Sequence, residues 1–156
     1  MGGLHTFMQK TLKQNILKLN GVTRFDIIAL RLERYLLHDK PFAVFCGDGF
    51  LHLKLTQQKC RELMIRYKKV ISTSSVYKGS NRWVMLNPSN LDAAIIWQLI
   101  NEGYALILKD LPELTRLTLL KTTSPKYSVD YSAIMQKIAS YTGIDFDDRI
   151  DFNENP

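Results

Sequence analysis

The sequence predicts an α+β fold, a small antiparallel sheet of hairpins with helices packed on one face and extra helices at both termini. Segments whose apolar residues recur every three or four positions alternate along the chain with short runs of strand-forming residues. Two pairs of these runs are joined by turn residues, which is typical of hairpins. The length of 156 residues is that of one ordinary domain.

The first quarter of the chain is predicted to be helical. Residues 7–19 place their apolar side chains along one helical stripe, and an Asn-Gly pair ends it with a C-cap signal. In residues 23–37 the apolar residues again recur at intervals of three and four residues. Thr23 and Asp26 stand at capping-box spacing. This spacing favours a second helix. Because "LRLERYLL" partly alternates, a strand over residues 29–37 is the competing interpretation.

A hairpin is predicted over residues 41–55, "PFAVFCGDGFLHLKL". In its second strand three leucines share one face, whereas Phe50, His52 and Lys54 share the other face and are expected to point outward. The Gly-Asp-Gly triplet between the runs is interpreted as a turn, with Asp48 holding no ligand. A phosphate loop would need more glycines and a following helix, and a calcium loop would need more carboxylates.

Another helix is predicted after Thr56, which is a suitable N-cap residue. Its apolar stripe contains Cys60 and Leu63, so this side should face the core. The cationic residues of the segment lie off that stripe, namely Arg61, Arg66, Lys68 and Lys69.

The remaining elements are a second hairpin and three helices. The hairpin strands are predicted at residues 71–77 and 82–86, joined by "KGSN". Helices are predicted within residues 87–107, 111–121 and 129–142. The elements therefore follow one another as helix, hairpin, helix, hairpin and helix, which is the basis of the α+β prediction.

The charge divides the chain into a basic domain and an acidic tail. The net charge of the chain is +6, made up of +10 over residues 1–142 and −4 over residues 143–156. We expect one domain over 1–142 and a flexible tail after it. No apolar run is long enough for a membrane span or signal peptide, so we expect a cytoplasmic protein without a membrane partner. Cys46 and Cys60 fit no disulfide or CxxC pattern and are interpreted as buried thiols.

Residues 42–112 resemble the MmcQ/YjbR-like family. The likeness rests on "FAVFCGDGFLHLKL", "CRELMIRY", "YKGSNRWVMLN" and "LINEGYALILKDLP". The matching positions are Phe42-Ala43, Leu53-Lys54, Trp83, Leu86, Leu99-Ile100, Tyr104 and Leu111-Pro112. The resemblance implies a frataxin/CyaY-like α+β fold, a family often described as DNA-binding, and no catalytic residues. The longer N-terminal region and the residues after about 121 have no counterpart in the family pattern.

Catalytic and metal sites are not expected. The three histidines, His5, His38 and His52, are far apart in sequence and lack Cys or Glu at metal-ligand spacing. Frataxin itself holds iron along acidic residues of its first helix, whereas the first helix here carries three lysines and no acid. We therefore expect no enzyme, no metal and no cofactor.

Binding of DNA or RNA through a basic strand and hairpin face is the predicted function. Aromatic and cationic side chains together can stack on bases and neutralise phosphates. The candidate residues are His52, Lys54, Arg61, Lys68, Lys78, Arg82 and Trp83. Trp83 also fits a packing role in the core.

The alternative function is a protein-interaction or regulatory module, or a homodimer. It would use the C-terminal helix, whose predicted apolar stripe is Val129, Ile134, Ile138 and Tyr141. The same helix could instead cover the sheet and complete the core.

Overall fold

A seven-stranded sheet forms the centre of the protein in a computed structural model that describes residues 2–121 and 127–130. The strands are β1 (Val22–Ile27), β2 (Leu32–Leu37), β3 (Lys40–Cys46), β4 (Leu51–Lys54), β5 (Ile71–Thr73), β6 (Trp83–Leu86) and β7 (Tyr127–Asp130). The helices are α1 (Gly2–Leu17), α2 (Gln57–Arg66), α3 (Ala93–Asp110) and α4 (Glu113–Lys121), with short 3-10 turns at Ile28–Leu30 and Pro88–Asn90. The strand order is β5-β6-β4-β3-β2-β1-β7. Six strands are antiparallel, which confirms the α+β prediction, and β7 joins β1 in parallel.

The helix predicted over residues 23–37 is wrong, and the chain forms the hairpin β1–β2 there instead. Arg31 ends the 3-10 turn between the two strands with a left-handed φ of 54°. Asp26 does not cap a helix, since its carboxylate accepts two hydrogen bonds from the Arg24 guanidinium at 2.8 and 2.9 Å. Pairing of β2 with β3 across the sheet outweighs the local helical spacing. The competing interpretation of a strand at 29–37 is closer to the structure.

The hairpin around Gly-Asp-Gly is confirmed as β3 and β4 joined by a turn. The Asp48 carboxylate accepts a hydrogen bond from the backbone N–H of Phe50 at 3.0 Å, the pattern of an Asx turn. Gly49 has a φ of 93°, a conformation in which a side chain would be strained. The triplet is thus explained by turn chemistry.

Helix α2 begins as predicted, because the Thr56 hydroxyl accepts a hydrogen bond from the N–H of Lys59 at 3.1 Å. The second hairpin is also present, although β5 ends at Thr73 and not at residue 77. Ser74 ends the strand because its hydroxyl accepts backbone N–H bonds from Val76 and Tyr77 at 3.1 and 3.0 Å. Residues 74–82, which we name the β5–β6 connection, therefore leave the sheet.

The helices pack on one face of the sheet, as predicted. Apolar side chains from α1, α2 and α3 form one buried cluster with inward residues of β1 to β6. The closest approach is at Gly103 of α3, where an added Cβ would lie 2.8 Å from the backbone oxygen of Lys54. Only glycine lets α3 sit this near to β4.

The opposite face of the sheet is covered by the β5–β6 connection. A second buried cluster there contains Ile27, Leu32, Val44, Tyr77 and Trp83. The rings of Tyr77 and Trp83 are stacked, with centroids 3.8 Å apart. The expectation that this face meets solvent is therefore wrong over the area beneath the connection.

The C-terminal predictions have separate outcomes. Helix α4 is present over most of residues 111–121. Val129 and Asp130, assigned to a helix from the sequence, lie in β7 instead. The remainder of that predicted helix and the acidic tail at 143–156 lie outside the described residues. Within the described part of the chain, no helix is both long and apolar enough to cross a membrane.

Candidate nucleic-acid interface

His52, predicted to point outward, is fully buried, with 0% of its surface exposed. Strand β4 lies between β3 and β6, so both of its edges are paired. The β5–β6 connection closes the remaining side, because Ser74 Oγ lies 2.7 Å from His52 Nδ1. The prediction that His52 faces solvent is wrong for this reason.

The contact between His52 and Ser74 favours one tautomer of the imidazole. Since the Ser74 hydroxyl already accepts two backbone N–H groups, its own proton is directed to Nδ1 of His52. Burial lowers the pKa of His52 to about 4, and the charge of Asp48 offsets only part of this shift. The imidazole is thus neutral near pH 7.

Lys54 and Trp83 are also buried, contrary to an exposed role for the strand face. They are cross-strand neighbours on β4 and β6. Trp83 is 2% exposed and stacks on Tyr77, which confirms the packing role allowed for it. In this structure neither side chain can reach a nucleic acid, because the β5–β6 connection lies over this face of the sheet.

The other candidates are accessible. Arg61 and Lys68 are exposed at α2 and just after it, and Lys78 is exposed within the β5–β6 connection. Arg82 is half-buried, and its charge lies close enough to Cys60 to act on the pKa of that thiol. The structure therefore divides the predicted set into an exposed cationic part and a buried part.

The exposed cations concentrate on α2 and the turn after it. We name Arg61, Arg66, Lys68 and Lys69 the α2 cationic cluster; all four are exposed. The Arg66 guanidinium lies over the ring of Tyr67, 5.6 Å from its centroid. None of the four forms an ion pair with another residue in the described part of the chain.

Several cations elsewhere have acidic partners. Lys13 of α1 lies 2.8 Å from the carboxylate of Glu33, and Lys59 lies 3.7 Å from that of Glu102. Arg24 is held by Asp26 on the same strand. The α2 cationic cluster thus differs from these cations in having its charge available to an external anion.

Neither cysteine carries an activated thiol. Burial raises the pKa of Cys46 and of Cys60 to about 11, so both thiols are protonated near pH 7. Cys60 is buried as predicted, and Cys46 is half-buried. Within residues 2–121 and 127–130, no three His, Cys, Asp or Glu side chains are grouped closely enough to hold a metal.

Two structural features were missed by the sequence analysis. The hydrogen bond of Ser74 to His52 was not foreseen, although two serines directly after a strand, here Ser74 and Ser75, are typical of residues that end one. The second is a groove between α1 and α3, lined by Met8, Leu12, Ile96 and Trp97 among others. No local pattern shows a groove, since its walls come from distant segments.

The fold is similar to a known one. No protein-family model matches the chain, and no curated protein sequence matches it. The crystal structure of Deinococcus radiodurans protein DR2400, a DUF419 domain, matches with a TM-score of 0.61 and 17% identity. The match covers 69% of this chain and 84% of that one. DUF419 is of the YjbR/MmcQ type, so the likeness supports the resemblance at the level of the fold.

Proposed function

We propose that this protein is a non-enzymatic nucleic-acid-binding protein whose contact surface is the α2 cationic cluster. The observation that carries the proposal is the exposure of Arg61, Arg66, Lys68 and Lys69 within nine residues, without an ion-pair partner in the described part of the chain. Phosphate contacts from Lys and Arg supply most of the affinity in sequence-independent binding.

The geometry of α2 supports a surface contact. Leu63 and Cys60 attach the helix to the core, so the opposite side is presented on a fixed support. Ile65 is 66% exposed and lies one helical turn from Arg61. An apolar side chain among cations can contact sugars or bases while its neighbours bind phosphates.

The proposal moves the contact surface away from the strand face. His52, Lys54 and Trp83 remain beneath the β5–β6 connection and take no part in it. Lys78 is exposed and is kept as a secondary contact, to be tested separately. The resemblance to YjbR-like proteins is compatible with this function but does not supply its residues.

Binding to duplex DNA, single-stranded DNA and RNA, titrated against salt, tests the proposal. Changing all four residues of the α2 cationic cluster to Ala should lower the slope of log affinity against log salt for duplex DNA by about 3 to 4. Lys78→Ala alone should lower it by about 1 if that residue contacts a phosphate.

A matched control removes four exposed lysines elsewhere, namely Lys10, Lys18, Lys40 and Lys109. This variant has the same net charge as the cluster variant, and its slope should change much less. Equal slopes for the two variants would show that net charge and not the cluster drives binding. Absence of binding by the wild-type protein at low salt would end the proposal.

The acidic residues of the tail are proposed to compete with nucleic acid for the cluster. Five acids lie in residues 143–156. Changing Asp145, Asp147, Asp148 and Asp151 to Asn should strengthen binding chiefly at low salt, where screening is weak. Equal affinities of this variant and the wild type at low ionic strength would contradict the competition.

A further inference from the structure

We propose that the β5–β6 connection is an acid-released cover of the sheet, held closed by the neutral form of His52 and opened when the imidazole takes up a proton. Opening would uncover Lys54 and Trp83, which are buried on this face. The surface that the sheet presents to solvent would then depend on pH. This inference is independent of the proposed nucleic-acid contact, which lies on α2.

The connection is attached to the sheet by few buried side chains. Of its residues 74–82, only Ser74 and Tyr77 are buried. The backbone N–H groups of Val76 and Tyr77 are bonded to Ser74 Oγ, so these hydrogen bonds lie within the connection itself. The contact of Ser74 Oγ with His52 Nδ1 at 2.7 Å joins the connection to β4. A segment with so few buried residues opens at a lower free energy than the core.

The site beneath the connection fits the neutral imidazole. A hydroxyl oxygen has two lone pairs, and those of Ser74 accept the two backbone N–H groups. The hydroxyl proton is therefore given to Nδ1 of His52, which must be unprotonated to accept it. The proton of the neutral ring is then on Nε2. The closed connection thus selects one protonation state and one tautomer.

The same site does not fit the charged imidazole. Both ring nitrogens of a protonated histidine are donors. A proton on Nδ1 would face Ser74 Oγ, whose lone pairs are already used. Nε2 is buried and has no hydrogen-bond partner among the described residues. Burying a charge without hydrogen-bond partners is costly, so protonation favours a state in which Ser74 has moved away and water reaches the ring.

Other ionisable side chains lie on or beside this face of the sheet. They are Asp48 of the turn between β3 and β4, Cys46 of β3, Lys54 of β4, Arg34 of β2 and Tyr77 of the connection. The charge of Asp48 favours the imidazolium, but burial has the larger effect on the pKa of His52. Ordinary carboxylates have pKa values of about 4, so a response between about pH 7 and 5 reports chiefly on the imidazole.

The direction and size of the effect follow from linkage. The pKa of His52 is about 4 with the connection closed and should return to about 6.5 once the ring meets water. The open state therefore binds a proton that the closed state refuses, and opening is favoured as pH falls through this range. Between about pH 7 and 5, the ratio of open to closed molecules should rise by about 20-fold.

Amide hydrogen exchange of the full-length protein, followed by NMR, tests the cover. The amides of Val76 and Tyr77 are the probes, because opening frees both from Ser74. Their protection relative to an unstructured peptide at the same pH should fall by about 20-fold from about pH 7 to 5. The amide of fully buried Ile100 in α3 reports global unfolding. Urea should speed exchange at Ile100 strongly and at the two probes only weakly, since local opening exposes little surface.

Two histidine variants assign the response. His52→Gln removes the buried imidazole, so the protection of Val76 and Tyr77 should no longer fall between these pH values. His38→Asn is the matched control, because His38 is exposed and asparagine tolerates its positive φ of 50°. This variant should keep the pH dependence of the wild type. Protection at Ile100 shows that each variant is folded.

Each result either supports or overturns the proposal. A fall in protection at Val76 and Tyr77 that depends weakly on urea, persists in His38→Asn and is lost in His52→Gln supports the acid-released cover. Urea dependence at the two probes equal to that at Ile100 would show that the connection opens only with the whole protein. An unchanged pH response in folded His52→Gln, or no response in the wild type, would also overturn the proposal.

Discussion

The face of the sheet under the helices and the face under the β5–β6 connection are both buried, but their contents differ. The first holds a large cluster made almost wholly of apolar side chains. The second holds a small apolar cluster beside the buried polar groups of His52 and Ser74. The second face therefore depends on a specific hydrogen bond as well as on apolar packing, and its stability should fall at acid pH.

Removing a large side chain from either face of the sheet should give the largest loss of stability. Phe42→Ala on the helix-covered face and Trp83→Ala beneath the β5–β6 connection should each lower the free energy of unfolding by about 3 to 5 kcal/mol. Phe42 is 0% and Trp83 2% exposed, so both leave a cavity. Urea denaturation measures the two costs. A cost below about 1 kcal/mol for Trp83→Ala would mean that the second face is not a true core.

Acid should destabilise the protein through His52. The pKa of this group is about 4 in the folded protein and about 6.5 in an unfolded chain. Below pH 6.5 the unfolded state therefore binds a proton that the folded state refuses, and stability falls as pH drops from about 6.5 towards 4. The loss from this group should be about 2 kcal/mol at about pH 5.

His52→Gln is the control for the acid effect, because it removes the titrating group and leaves the carboxylates in place. The free energy of unfolding is measured against pH for both proteins. The difference between the two curves gives the contribution of the imidazole. Identical dependences between about pH 7.5 and 5 would show that His52 is not buried as described. Because the Ser74 hydroxyl proton is directed at Nδ1 and stabilises the neutral imidazole, Ser74→Ala should raise the pKa of His52, which NMR titration can measure.

Closing the space between α3 and the sheet should have an intermediate effect. Gly103→Ala places a methyl group against the backbone oxygen of Lys54, so α3 must move outward at a cost of about 1 to 3 kcal/mol. Ala105→Ser on the exposed side of the same helix is the control, with a change within about 0.5 kcal/mol. Thermal melts of both variants measure the difference in stability. Equal melting temperatures would contradict the close approach of α3 to the backbone of Lys54.

The smallest effect is expected at the turn between β3 and β4. Asp48→Asn keeps an oxygen that can accept the N–H of Phe50, so stability should change by less than about 0.5 kcal/mol. Calcium or magnesium should not change the melting temperature of either protein. A metal-induced shift that disappears in the variant would show that Asp48 is a ligand.

The elements with local signals were predicted correctly from the sequence. Thr56 marks the start of α2, and Gly-Asp-Gly marks the turn between β3 and β4. Residues 22–37 were assigned incorrectly because the spacing of their apolar residues fits both a helix and a hairpin. Pairing with β3, which comes later in the chain, decides between them.

The site was only partly predictable for a related reason. The alternation of apolar and polar residues along β4 correctly places Leu53 on one face of the sheet and His52 and Lys54 on the other. It does not show whether the second face is covered. Whether the second face meets solvent depends on residues 74–82, which return across it from another hairpin. The cations of α2 were predicted to lie away from the core because helical periodicity alone separates them from Leu63.

The pairing of β1 with β7 has a consequence for how the chain is made. Arg24 and Tyr127 are paired although about a hundred residues separate them. At translation rates of about 5 to 20 residues per second, the outer edge of β1 waits roughly 5 to 20 seconds on the ribosome for its partner strand. An open edge invites pairing with another nascent chain, and charged side chains on a strand discourage it. Arg24 and Asp26, which form an ion pair on this strand, should discourage pairing of its open edge with another chain during synthesis.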